Sequence, residues 1–267
     1  MNEPILSVTD LAFAYPGHAA AFQRVSFSLA AGEIMTILGP NGVGKSTLLR
    51  CLSQALVPTQ GEVILAQRPL AAYSSRMLAR QIAVVPQNYH LETDLRVAEY
   101  VLTGRIAYHP LWGQPNQADR QLVNNILTQL QLQDLSQRRV TTLSGGQKQL
   151  VTIARALAQQ PQVLLLDEPM AALDLGRQAQ LLQQLKSLQN QGMAILLTSH
   201  LPNHAFMLGG KVGLLSPTAP WQAGPVNETA TEANLSALYQ TPLTVVVSTV
   251  FQRPVCDLKL PSLTIPN

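Results

Sequence analysis

The nonapeptide GPNGVGKST at residues 39–47 constrains the fold more than any other stretch of this chain. It fits the phosphate-binding loop pattern of two glycines five apart followed by Lys and then Ser or Thr. The run EIMTIL ahead of it, residues 33–38, is apolar and of strand type, and STLLRCLSQAL after it, residues 46–56, has apolar residues at helical spacing. Strand, loop and helix in that order place the chain among α/β folds. A triphosphate must be wrapped by backbone, and side chains would hold the main-chain N–H groups away from it. Gly39, Gly42 and Gly44 remove that obstruction, with Asn41 between them. The N–H groups at the start of the following helix carry partial positive charge, and Lys45 adds a full one. Ser46 is placed to ligate a magnesium ion, and Thr47 completes the set of binding residues.

At 267 residues the chain can bury a core without staples. Its only cysteines, Cys51 and Cys256, form no metal or disulfide pattern, which points to a reducing cytosol. Cys51 reads as a buried structural thiol on the helix after the loop. No apolar run approaches the ~18 residues that span a bilayer, and MNEPILSVTD lacks the basic start of a signal peptide, so no membrane crossing is expected. The net charge is +3, and the basic residues are scattered, so no electrostatic footprint for nucleic acid is present.

Upstream of the loop, LSVTDLAFAY and RVSFSL read as strands joined by a turn, with Val25, Phe27 and Leu29 alternating onto one face. Tyr15 closes the first of them. An aromatic there suits stacking on a flat base, or a strand-end tyrosine with its hydroxyl in water. Downstream, GEVILAQRPLAA reads as a hairpin, residues 74–80 as a short helix, and IAVVPQ as a strand stopped by Pro86. Gln87 then lies just past a strand end, where open α/β sheets bind ligands. From 95 to 160 the pattern is helical, in VAEYVLTGRI, QADRQLVNNILTQLQL and SGGQKQLVTIARALAQQ, with an exposed Trp112 in the first loop. His90 and His109 have no second ligand at metal spacing and read as surface residues.

VLLLDEP, residues 163–169, is a continuous apolar run ending in two carboxylates, the pattern of a parallel strand buried on both faces. Burying a strand that delivers Asp167 and Glu168 to its exit makes sense where a cation waits. Asp167 suits holding magnesium through water, and Glu168 suits accepting a proton from an attacking water. A helix over 175–190 and the strand MAILLTS bring His200 to the same edge, as a phosphate contact or a satisfied polar residue. Pro202 suits the first turn of the next helix, on which His204 shows no role. In the tail, KVGLLS and TVVVSTVF read as strands and TEANLSALY as a helix, while the region of Pro254, Pro261 and Pro266 reads as irregular.

At LSGGQ, residues 143–147, the chain closely resembles the ATP-binding subunits of ABC transporters, whose signature stands in this order between phosphate loop and carboxylate strand. The resemblance covers nearly all of residues 5–250. It implies one domain over 1–267: an α/β P-loop NTPase core of RecA-like type, an N-terminal antiparallel β subdomain, a helical subdomain inserted at about 88–160, and a C-terminal extension at 216–267. It further implies Tyr15 as the adenine-stacking residue, Gln87 as the link between magnesium, water and a membrane partner, Asp174 as the D-loop residue and His200 as the switch histidine. The signature also has its own logic. Ser144 is placed to cap the next helix, and Gly145 and Gly146, ahead of Gln147, permit close backbone approach, which makes a second anion-binding helix start. In the family the signature of one subunit closes over the γ-phosphate held by another, so ATP and Mg2+ are the expected cofactors and a homodimer the expected assembly.

LTGRIAYHPLW and GPVNETATEANLSALYQTPLTVV look like the importers of metal chelates: siderophore iron, haem, cobalamin, and the related molybdate or tungstate systems. Met170 after DEP, where Thr is usual, and Leu201 with Pro202 after His200, where Asp and Leu are commoner, depart from the family pattern at positions without chemistry. The resulting expectation is an ATPase at the cytoplasmic face of a membrane, peripheral to it. It would work under integral permease subunits served by an extracytoplasmic substrate-binding protein. A stand-alone exporter ATPase, or a soluble ABC-type ATPase of translation or DNA repair, are the alternatives.

Overall fold

The computed structural model describes residues 3–87, 93–110, 113–171 and 173–259; His90 and Trp112 lie outside them. Strands β1 (Pro4–Ala14), β2 (Ala20–Ala30), β4 (Gln60–Leu65) and β5 (Arg68–Pro69) form an antiparallel sheet in the order β2-β1-β4-β5. Between its members the chain makes β3 (Ile34–Leu38), the phosphate loop and helix α1 (Lys45–Leu52). Then come α2 (Ser75–Leu78), β6 (Ile82–Val85), α3 (Val97–Leu102), α4 (Gln117–Gln129), α5 (Gly145–Ala158), β7 (Val163–Leu166), α6 (Leu175–Asn190), β8 (Ala194–Ser199), α7 (Pro202–Leu208) and β9 (Lys211–Leu214). The tail adds β10 (Gln222–Pro225), α8 (Val226–Thr229), α9 (Glu232–Tyr239), β11 (Leu243–Ser248) and β12 (Arg253–Leu258).

The central sheet runs β10-β9-β3-β8-β7-β6, parallel except for β10. Its inner strands β3, β7 and β8 are buried throughout and almost continuously apolar because both faces are covered, and successive side chains serve opposite cores. On β7, Val163 and Leu165 pack with α1 and the antiparallel sheet, whereas Leu164 and Leu166 pack with α3 to α6. All four are fully buried, and each such side chain contributes roughly 1.5–3 kcal/mol. Parallel pairing aligns the carboxyl ends of β3, β6, β7 and β8, so the phosphate loop, Gln87, Asp167 with Glu168, and His200 all leave the sheet at one edge.

Three expectations change. The helix after the loop ends at Leu52 rather than running to residue 56, because Gln54 takes a left-handed turn (φ 59°). The run VAEYVLTGRI is α-helical only to Leu102 and then tightens into a 3-10 stretch, Thr103–Tyr108. The region around Pro254 is a strand: β12 pairs with β11, and Asn203 of α7 holds it by accepting from Cys256 N (2.9 Å) and donating to Cys256 O (3.0 Å). Pro254 is tolerated because it sits on an edge strand. Cys51 is buried, as read from the sequence.

Candidate functional site

The glycines of the loop are fixed by packing as well as by any ligand. A Cβ on Gly39 would lie 2.4 Å from the Leu215 carbonyl oxygen, at the exit of β9. Gly44, the residue ahead of α1, has φ 108°, and a Cβ there would meet the Ala21 carbonyl oxygen at 2.7 Å. At the crown of the loop Asn41 and Gly42 are exposed, and a Cβ on Gly42 would meet nothing within 4 Å. Lys45 is buried, donates to Gly39 O (2.9 Å) and Pro40 O (3.0 Å), and pairs with Glu168 Oε1 at 3.0 Å. Tyr15 lies beside the loop, its hydroxyl 3.3 Å from Thr47 Oγ1 and its ring edge-on to Phe13. Tyr15 remains 37% exposed beside the phosphate loop, where a flat aromatic surface is needed for stacking.

Glu168 joins three elements. Besides Lys45 from α1, it meets His200 from the end of β8, where Nδ1 is 2.5 Å from Glu168 Oε2. Burial alone would raise its carboxyl, but the hydrogen bonds and charges of His200 and Lys45 outweigh that and hold it below the ordinary glutamate range. The group is therefore a carboxylate at neutral pH. Asp167, also buried, accepts from Thr198 Oγ1 at 2.7 Å. Gln87 is exposed two residues beyond the end of β6.

The signature residues form a second group. Ser144 Oγ accepts from Gln147 N and Gln147 Oε1 from Ser144 N (3.0 Å), a capping box at the start of α5. Asp174 caps α6 by accepting from Arg177 N (2.8 Å), and a Cβ on Gly146 would touch Arg177 Cδ at 2.8 Å, so the signature and Asp174 share one neighbourhood. Among the described residues no hydrogen bond or ion pair joins Ser144, Asp174 or Gln87 to the Lys45, Glu168 and His200 cluster.

Two features escaped the sequence reading. His204 is buried and bonds Ser199 Oγ through Nδ1 at 2.9 Å, and Ser199 Oγ also accepts from Leu201 N at 3.0 Å, which fixes the turn after His200. The only advance signal was the hydroxyl pair Thr198 and Ser199 ahead of His200. His109 is not a surface residue: its side chain is 16% exposed and lies 2.7 Å from Asp119 Oδ2, beside the buried Arg105 to Asp119 ion pair at 2.8 Å.

The residues present suit a magnesium nucleotide. The loop has an open crown under a helix start, and Ser46 and Asp167 offer hard oxygen donors of the kind Mg2+ takes. The parallel sheet and the phosphate loop at its edge define a P-loop ATPase, and the signature residues stand at a second helix start, that of α5. The ABC transporter family profile matches residues 22–171. The chain is 37% identical over 239 residues to the molybdate import ATP-binding protein MolC of Haemophilus influenzae, covering 89% of each. It is 33% identical over 252 residues to the iron(3+)-hydroxamate import ATP-binding protein FhuC of Bacillus subtilis, covering 94% of this chain and 93% of that one. A solved structure described as an inward-facing metal-chelate type ABC transporter superposes with TM-score 0.85 at 33% identity, over 96% of this chain and 99% of its own. This chain belongs to the ABC transporter family, as an ATP-binding subunit that couples ATP hydrolysis to transport.

Proposed function

We propose that this subunit drives import of a metal chelate or an oxyanion, working as a homodimer beneath integral permease subunits at the cytoplasmic face of the membrane. An extracytoplasmic binding protein would deliver the cargo. The observation that carries the catalytic part is the contact of Lys45, Glu168 and His200 at the carboxyl edge of the sheet. Support for import comes from the molybdate and iron-hydroxamate relatives. Among the described residues no helix is long and apolar enough to cross a membrane, and in this reading a permease supplies the pore.

In this reading Tyr15 stacks on adenine, and the amides of residues 39–47 with Lys45 take the phosphates. Glu168 takes the proton of the attacking water, and His200 orients Glu168 and contacts the γ-phosphate. Magnesium, held by Ser46 and Asp167 and reached by Gln87, would supply charge neutralisation at the phosphates. Ser144, Gly145, Gly146 and Gln147 act on the nucleotide of a second copy, with Asp174 at the seam between the two. In this reading α3, α4 and α5 belong to the helical subdomain expected at about 88–160, which answers to the permease through Gln87 just ahead of it, and the tail from 216 is the extension. Dimer closure around two nucleotides, reversed by hydrolysis, is the transport stroke.

The test is Glu168→Gln. Turnover should fall by roughly 10²–10⁴-fold, ATP affinity should be retained, and an ATP-bound dimer should accumulate on gel filtration. Near-normal hydrolysis would refute the role of Glu168.

A further inference from the structure

Thr198 lies at the end of β8 with no exposed surface, and β8 pairs with β7 so that Leu197 stands opposite Leu166. The next residues along these strands, Thr198 and Asp167, are bonded through their side chains. Thr198 Oγ1 donates to Asp167 Oδ1 at 2.7 Å and accepts from Glu168 N at 2.8 Å. A hydroxyl has one proton and two lone pairs, so one rotamer satisfies both bonds at once. No apolar side chain can do either.

The second bond matters because of the backbone at Glu168. Its φ is 46°, in the left-handed region that a glutamate enters only at a cost. Such conformations persist when their surroundings over-determine them. Asp167 N still joins the sheet by donating to Val85 O (2.9 Å), whereas the Glu168 amide turns to Thr198 instead. That turn separates the two acids, one held by Thr198 and the other by Lys45 and His200.

We propose that Thr198 is a positioning residue for ATP hydrolysis, a buried hydroxyl that fixes the Asp167 carboxylate and the Glu168 backbone together. The inference rests on the roles given to Asp167 and Glu168 above. Without the hydroxyl, Asp167 loses its fixed orientation and the Glu168 amide is left without its acceptor. Both changes fall on turnover and on the magnesium requirement more than on nucleotide capture.

The experiment compares Thr198→Val, Thr198→Ser and Thr198→Cys with wild type and with Glu168→Gln. Four quantities are measured: kcat, KM for ATP, melting temperature, and binding of a fluorescent ATP analogue across a magnesium titration. T198V should lose about 10–100-fold in kcat with little change in KM, and it should need several-fold more magnesium for half-maximal nucleotide binding. T198S should restore both. A T198V protein that melts earlier but keeps wild-type kcat and magnesium dependence, or a T198S protein as impaired as T198V, would overturn the inference. If T198V does not fold, T198S and T198C decide, because each lacks the same methyl and they differ in hydrogen-bonding strength. T198S faster than T198C by about ten-fold or more supports the role, and equal rates overturn it. An inactive E168Q beside a fully active T198V rejects Thr198 alone, while an active E168Q rejects the reading on which it rests.

Discussion

His204 makes the fold sensitive to mild acid. Burial pushes its imidazole below the ordinary histidine value of 6.5, the charge of His200 adds to that, and Glu168 opposes it. In the folded chain His204 therefore stays neutral, bonded to Ser199, at pH values where the unfolded chain takes up a proton. Stability is unaffected by this group above pH 6.5 and declines as pH falls below it, by at most about 1.4 kcal/mol per pH unit, until the folded imidazole also protonates. Melting temperatures measured from pH 7.5 to 5.5 should fall less steeply for His204→Asn than for wild type, and parallel slopes would reject the assignment. Lys45, Glu168 and His200 were legible because each sits at a fixed offset in a motif. Thr198, Ser199 and His204 were not, because their partners come from a neighbouring strand or a following helix turn, and apolar periodicity carries no record of which hydroxyl faces which acid.

The stretch between α3 and α4 makes the same point for an element. The sequence extends the helix through LTGRI, yet Thr103–Tyr108 is 3-10, clasped by partners up to fifty-five residues away. Arg105 pairs with Asp119, donates to Ala158 O and Gln160 Oε1 (both 2.9 Å), and lies over the Tyr108 ring. Tyr108 donates to Gln159 O, and Arg80 and Arg76 donate to Ala107 O. A Cβ on Gly104 would meet Arg155 O at 2.3 Å, which seats the segment directly on α5. The pair therefore bolts α4 and this segment to the end of α5. Without Arg105 the buried Asp119 carboxylate keeps only His109 and the Asn116 amide as partners, so Arg105→Met should destabilise by about 3 kcal/mol in denaturant unfolding, the low end for a broken buried pair. Arg105→Met with Asp119→Leu should recover much of that loss; a double variant no better than the single would show that the bolt acts by packing rather than charge. Of the tail hairpin the sequence showed β11 but not its partner β12, for a related reason: prolines signal irregularity, while the bonds from Asn203 that hold β12 come from α7.

At the scale of the molecule, the chain carries two helix starts of the kind that suit anions, far apart in sequence. The one at α1 is backed by Lys45 and Glu168, and the one at α5 is closed by the Ser144 and Gln147 capping box beside Asp174. The order of motifs was legible, and so was the sheet edge that collects the first group, because parallel strands must end together. In the proposed homodimer the two groups are paired by a second copy related by symmetry, so that each loop would meet the other's signature. This gives a test that activity of either variant alone cannot mimic. Ser144→Arg spoils only the signature, and Lys45→Ala spoils only the loop, so each homodimer has two defective sites and should be nearly inactive. In a mixture, heterodimers join the intact loop of one chain to the intact signature of the other. With random pairing in equal amounts, about a quarter of the wild-type sites return, and ATP hydrolysis should recover toward that fraction as the two proteins exchange subunits. If both variants fold and exchange subunits but no mixture exceeds the sum of its parts, the shared-site dimer is wrong and the signature must serve the nucleotide of its own chain.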